Sequence, residues 1–209
     1  MSELRNRETA ADPRYTRESD LGRTLFGDIG EVAKYDIRLG AFADCEEANA
    51  AVGFALSMGG YDVRTAATLT SVQNDLFDLA ADLSAPTDQD LDPPPVRIVD
   101  AHVTWVERAY EHYSADLAQV RGFVLPGGTV AAALLFQARI AIRRAERTTW
   151  AALEQHPQSI NPLTAHYLNR VSALLFVLAR TSNADLGDRM WHPMASIAGP
   201  TLDEGVGGE

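Results

Sequence analysis

The segment ARIAIRRAER, Ala138 to Arg147, places four arginines within nine positions of a chain whose formal net charge is −11 at pH 7. A guanidinium is a permanent cation with a rigid fork of donors, suited to carboxylates and phosphates. On a helix advancing about 100° per residue, Arg139, Arg143 and Glu146 lie within about 60° of one another, beside an apolar face of Ala138, Ala141, Ile142 and Ala145. Arg144 and Arg147 point further round. Two chemistries fit this spacing. The row can hold a polyanion beneath a ligand or a neighbouring subunit. It can equally be a solvated face on which arginine pairs with Glu146, at about 0.3 kcal/mol per pair.

Other chemistries find no support. No GxxxxGK[ST] occurs, so LPGGT at 125–129 is not a P-loop. Its glycines suit a tight turn that lets Thr129 cap the following helix, or a close approach of backbone to ligand. No E-x-x-H pair exists for a di-iron carboxylate bundle. His102, His112, His156, His166 and His192 lack zinc-ligand spacing, and no metal site is expected. No serine or cysteine nucleophile motif appears. Cys45, the single cysteine, sits in a helical pattern and reads as a small buried hydrophobe.

The elements that must position the arginines follow from periodicity. Helices are expected near 42–58, 63–84, 96–120, 129–155 and 160–184, with breaks at MGGYD, SAPTDQDLDPPP, LPGGT and QHPQSINP. Residues 1–14 read as a disordered polar arm, 15–40 as a long ordered loop, and 196–209 as a flexible acidic tail. Phe77, Phe136 and Phe176 sit at core spacing. The expected fold is an all-α five-helix bundle with an ordered N-terminal loop, one domain over 15–195. The 209 residues suit one core. The acidic balance argues against nucleic acid. One cysteine, no apolar run long enough for a bilayer and a polar start favour the cytoplasm.

Several segments together resemble the PduO-type ATP:cob(I)alamin adenosyltransferases. YTRESDLGRT resembles that family's Y-T-R-T-G-D-x-G-x-T loop, and VAKYDIRLGAFADCEEANAAVG its V-S-K-x-D-x-R segment with D-E-L-N. FVLPGGT through RIAIRRAER is similar to F-I-L-P-G-G-T followed by R-x-x-x-R-R-A-E-R. YLNRVSALLFVLAR resembles Y-L-N-R-L-S-D-x-L-F-x-x-A-R, and MWHP a terminal L-W-x-P. The resemblance runs from Tyr15 to Pro193. It implies a homotrimer with active sites between subunits, in which cobalt(I) of cobalamin attacks the ribose C5′ of ATP, with Mg²⁺, and expels triphosphate. An acceptor enzyme dependent on adenosylcobalamin would take the product.

The resemblance also implies roles. Arg143 matches the arginine beside ATP. Arg139 matches the arginine that pairs across the interface with an acid of helix one, here Glu46. Glu146, Arg147 and Asn169 match positions around the nucleotide. Lys34 matches a loop lysine near the phosphates, and Thr16, Arg17, Asp20 and Gly22 a phosphate-wrapping loop. Phe123 matches an aromatic at the lower face of the corrin. The cobalt itself is the nucleophile, so the protein's part is to orient C5′, neutralise the leaving group and exclude water.

Departures from the pattern cluster in that loop. Glu18-Ser19 stand for Thr-Gly, Leu21 for a basic residue, Glu31 for an arginine and Ala33 for a serine, while Ala173 replaces the aspartate after L-N-R-x-S. Most of these changes disfavour a polyanion. They leave a second reading open: a paralogue using the same cleft for another ligand, or for a corrinoid without ATP turnover.

Overall fold

The computed structural model describes residues 20–197 and 199, and contains a small hairpin followed by five helices. The expected polar arm, Thr16, Arg17, Glu18 and Ser19 therefore lie outside the described residues, as does most of the acidic tail. Ala195–Ile197, at the start of that tail, forms a 3-10 turn.

The long N-terminal loop is in part a β-hairpin. Strands β1 (Arg23–Phe26) and β2 (Gly30–Ala33) pair antiparallel, from Arg23 opposite Ala33 to Phe26 opposite Gly30. Four-residue strands without strict alternation leave little periodicity to read. The hairpin is held by Phe26, 4 % exposed, edge-to-face with Phe42 at 5.3 Å, and by the Asp28 amide donating to the Ser84 carbonyl at 3.0 Å.

Helices α1 (Ile37–Gly59), α2 (Val63–Leu83), α3 (Asp100–Ser114), α4 (Val130–Gln155) and α5 (Leu163–Thr181) follow. Side-chain caps start several of them: Asp36 accepts from the Arg38 amide, Asp62 from Arg64 and Thr65, and Thr129 from Ala132. Gly60, at φ 65°, ends α1. Helix α1 begins five residues earlier than its apolar period suggests, because its first turn buries Arg38 rather than a hydrophobe. Helix α3 is shorter than expected at both ends. Arg97 and Ile98 instead run extended, tied to Asp82 at the end of α2.

Helix α4 lies between α1 and α5; α2 packs on α1, and α3 on α5. Small side chains permit the central contact: Ala41, Cys45, Ala48, Val52 and Ala55 of α1 and Ala138, Ala141 and Ala145 of α4 are all buried. Phe136 is in the core and Phe176 is partly buried, but Phe77 is 66 % exposed. The buried stripe of α2 is Leu69, Val72, Leu76, Leu79 and Leu83, and Phe77 stands one residue off it.

The turn before α4 is built for capping. Gly128 has φ 99°, and a Cβ there would overlap the Asn183 side chain. Asn183 Oδ1 accepts from the Thr129 amide at 2.9 Å, and its Nδ2 donates to the Gly127 carbonyl at 2.8 Å. The close approach admitted at Gly128 is thus that of a side chain of the same protein.

Candidate functional site

Helix α4 presents its arginines to two different surroundings. Arg144 turns toward α1 and pairs with Asp44 and Glu47. Arg139, Arg143 and Arg147 have no ion-pair partner among the described residues. Arg143 and Arg147 are exposed. Arg139 is half-buried with its guanidinium carbon 5.3 Å from the centre of the Phe176 ring, and its Nε has no hydrogen-bond partner. Desolvation, then the neighbouring Arg143, lowers the Arg139 pKa below the ordinary arginine value. Concentrated positive charge with unused donors is the electrostatic signature of an anion site. From Arg139 to Arg147 the row spans about 12 Å of helix.

Glu146 does not pair along its own helix. Its Oε1 accepts from Asn169 Nδ2 on α5 at 3.0 Å. The solvated-face reading of the arginines, which needs that carboxylate, loses its partner. Asn169 Oδ1 in turn accepts from Arg170 Nη1 at 2.8 Å, and Arg170 Nε donates to Glu107 of α3 at 2.7 Å. Sequence reasoning missed Arg170 and Glu107; the one available signal was the position of Arg170 beside Asn169.

Toward the start of α4 the surface becomes apolar. A groove of about 250 Å³ is lined by Pro126, Gly127, Phe136, Gln137, Arg139 and Ile140. Phe123 is 73 % exposed and meets Trp191 edge-to-face at 5.8 Å. Backbone bonds from Trp191 to Phe123 and from Leu125 to Arg189, both 2.8 Å, hold this aromatic pair. Trp191, in the MWHP segment, is a second aromatic that spacing did not assign. The row therefore has an apolar groove on its N-terminal side and exposed cations on its C-terminal side.

The remaining sequence-chosen residues sit elsewhere in the chain. Glu46 is exposed on α1, beside a cavity of about 290 Å³ lined by Asn49, Ala50, Gln73 and Phe77. Within one chain it does not meet Arg139, which faces Phe176 of α5. Lys34 is exposed after β2, and its amide donates to the Gly22 carbonyl at 2.9 Å, closing the hairpin base. Gly22, at φ 76°, and Asp20 lie at the exposed entry to the hairpin. Glu31, one of the departures, is held by Arg23 (Nε to Oε2, 2.7 Å), which neutralises its charge locally.

Two further groups are resolved by geometry. Asp75, Asp78 and His102 bring potential metal ligands within 4.8 Å of one another, a cluster that histidine spacing did not reveal. However, His102 Nδ1 accepts from the Val99 amide at 3.1 Å, which puts the neutral ring's proton on Nε2, facing Asp78. That tautomer makes a donor, not a ligand. Trp105 Nε1 also donates to Asp75 at 2.7 Å. Cys45 is buried, as its spacing suggested; desolvation, then Asp44 and Glu46, pushes its thiol up to about 12. The native protein should therefore resist iodoacetamide at pH 8 and react once unfolded, as mass spectrometry would show; modification of the folded protein would contradict this burial.

Comparison with known proteins bears on the family and the fold. The family model for cobalamin adenosyltransferase matches residues 14–182. A corrinoid adenosyltransferase of Mycobacterium tuberculosis is 48 % identical over 179 residues, covering 86 % of this chain and 92 % of the relative. One from Bacillus subtilis is 33 % identical, covering 83 % and 88 %. Among solved structures, a variant PduO-type ATP:corrinoid adenosyltransferase from Lactobacillus reuteri, complexed with cobalamin and ATP, superposes with a TM-score of 0.75 at 28 % identity, covering 85 % of this chain and 98 % of that one. No described helix is long and apolar enough to cross a membrane. With the arginine row, the capped PGG turn and the matched span in agreement, the chain belongs to the cobalamin adenosyltransferase family.

Proposed function

We propose that this protein transfers the 5′-deoxyadenosyl group of ATP to the cobalt of a reduced cobalamin, releasing triphosphate. The observation that carries the reading is the row of arginines on α4 with free donors, bordered by Glu146 and Asn169, in a chain nearly half identical to a corrinoid adenosyltransferase. In the reaction the cobalt(I) electron pair forms the bond to C5′. The C5′–O bond breaks, and triphosphate leaves with its electrons. Mg²⁺ arrives as the counter-ion of ATP. Arg143 and Arg147 neutralise the charge that develops on the leaving group. Asn169 and Glu146 orient the nucleoside, Lys34 with Asp20 and Gly22 serves the phosphates, and Phe123 with Trp191 offers the apolar wall for the corrin.

The closed site needs a second subunit. The pairing of Arg139 with Glu46 of another copy, which the family resemblance implies, is supported by a half-buried Arg139 whose Nε has no partner within the chain and by a Glu46 that stands exposed on α1. A head-to-tail pairing that closes after three subunits gives the homotrimer, with each site shared by two chains. Glu46→Arg is expected to shift the protein to smaller species by light scattering. Combining it with Arg139→Glu should restore the assembly; a single chain in wild-type solutions would refute the arrangement. An adenosylcobalamin-dependent enzyme as acceptor and a cytoplasmic location fit this activity.

The assay is direct. Purified protein with MgATP and cob(I)alamin should give the adenosylcobalamin spectrum in the visible range. No product, beside an active relative as control, rejects the reading. Tight cobalamin binding without ATP binding would favour the paralogue instead. The Arg23–Glu31 pair weighs against the paralogue, since it offsets one of the changes that set the loop apart.

A further inference from the structure

We infer that Glu107 and Arg170 are positioning residues, which set the orientation of the Asn169 amide toward the nucleotide. The inference rests on the nucleotide placement proposed above and assigns a role to Glu107, which no motif marks, and to Arg170, which stands in the Y-L-N-R segment without a role of its own.

Four side chains from three helices form one directed chain. Glu107 of α3 accepts from Arg170 Nε at 2.7 Å, Asn169 Oδ1 accepts from Arg170 Nη1 at 2.8 Å, and Glu146 Oε1 of α4 accepts from Asn169 Nδ2 at 3.0 Å. An asparagine amide has two orientations that fill the same space. Here they are far from equivalent. In the observed one the amide oxygen meets a cation and the amide NH2 meets a carboxylate. Flipping it would set the oxygen against Glu146 and the NH2 against Arg170, so both ends become repulsive. Without Arg170 only the Glu146 end would resist. Without Glu107, Arg170 would lose the contact that aims its fork.

The lock leaves Asn169 a second N–H in a fixed direction, and keeps Glu146 turned toward α5 and away from the arginines. All four residues are half-buried or exposed. The Glu107–Arg170 pair therefore adds little to folding, which separates a positioning role from a structural one. The groove between α3 and α5, about 460 Å³ and lined by Val106, Glu107, Tyr110, Glu111 and Arg170, gives these side chains room to leave their places once the chain is cut.

The test uses the full-length protein and three readouts: calorimetric Kd for ATP, kcat, and the thermal midpoint. Arg170→Met is expected to weaken ATP binding about tenfold, with kcat changed less than about threefold and the midpoint unchanged, as for loss of a ground-state contact. Asn169→Ala should weaken ATP by at least as much, and the double variant should equal Asn169→Ala alone. Glu107→Ala should raise Kd, and Glu107→Gln, which keeps an acceptor oxygen for Arg170, should recover most of the affinity. If the Arg170→Met and Asn169→Ala losses multiply in the double variant, the positioning role is overturned while the nucleotide site stands. If Asn169→Ala binds ATP like wild type, the nucleotide placement itself fails, and the positioning role with it.

Discussion

Arg143→Ala is expected to lower kcat at least about a hundredfold, with the fold intact, because removing one preorganised donor for developing charge costs about 3 kcal/mol in the transition state. Arg143 is exposed and has no ion-pair partner among the described residues, so its loss breaks no internal contact. It also adjoins Arg139, whose pKa is lowered partly by its charge. Removing it relieves repulsion between the two cations, and stability should stay the same or rise slightly. Arg143→Lys would keep the charge and lose the fork, leaving an intermediate rate. Single-turnover formation of adenosylcobalamin gives the rate, and circular dichroism melting gives the stability. A variant with full activity would show that this part of α4 faces something other than the leaving group.

The largest effect on stability is expected at Asp82, far from that chemistry. Its side chain is fully buried, and its oxygens accept from Arg97 Nη1 at 2.6 Å, the Ile98 amide at 2.8 Å and Asn161 Nδ2 at 2.7 Å. These bonds join the end of α2, the irregular segment before α3 and the turn before α5. Asp82→Asn keeps the shape but supplies one acceptor oxygen for three donors, and turns its own NH2 on either the guanidinium or the two N–H groups. Loss of the charge beside Arg97 and of satisfied buried donors should cost about 3 kcal/mol of folding stability. Urea unfolding should show a lower midpoint with an unchanged slope. A shift below about 1 kcal/mol would mean that Arg97 finds adequate compensation in the Ala85 and Pro86 carbonyls, which it already contacts at 2.6 and 2.9 Å.

These two sites differ in how much of them could be read beforehand. The α4 face was legible because helical geometry fixes angles from spacing alone: the expected apolar residues Ala138, Ala141, Ile142 and Ala145 are indeed buried. The Thr129 cap was legible because the cap is local. Asp82 gave no signal, since its three donors come from 15 to 79 positions away. The hairpin was missed because its strands are four residues long, and Phe77 was misplaced because one residue off a stripe is a rotation of about 100°.

The sequence by itself determined the helical framework, the capped turn before α4, the burial of Cys45 and the family, through residue order and fixed local periods. Only the tertiary structure decided which arginines stay free: Arg144 is taken by Asp44 and Glu47, while Arg139, Arg143 and Arg147 are left without acids. It alone joined Glu146 to Asn169, and Asn169 through Arg170 to Glu107. The reason is physical. A side chain's direction follows from its own helix, but its partner depends on how two helices pack, and no local period records that.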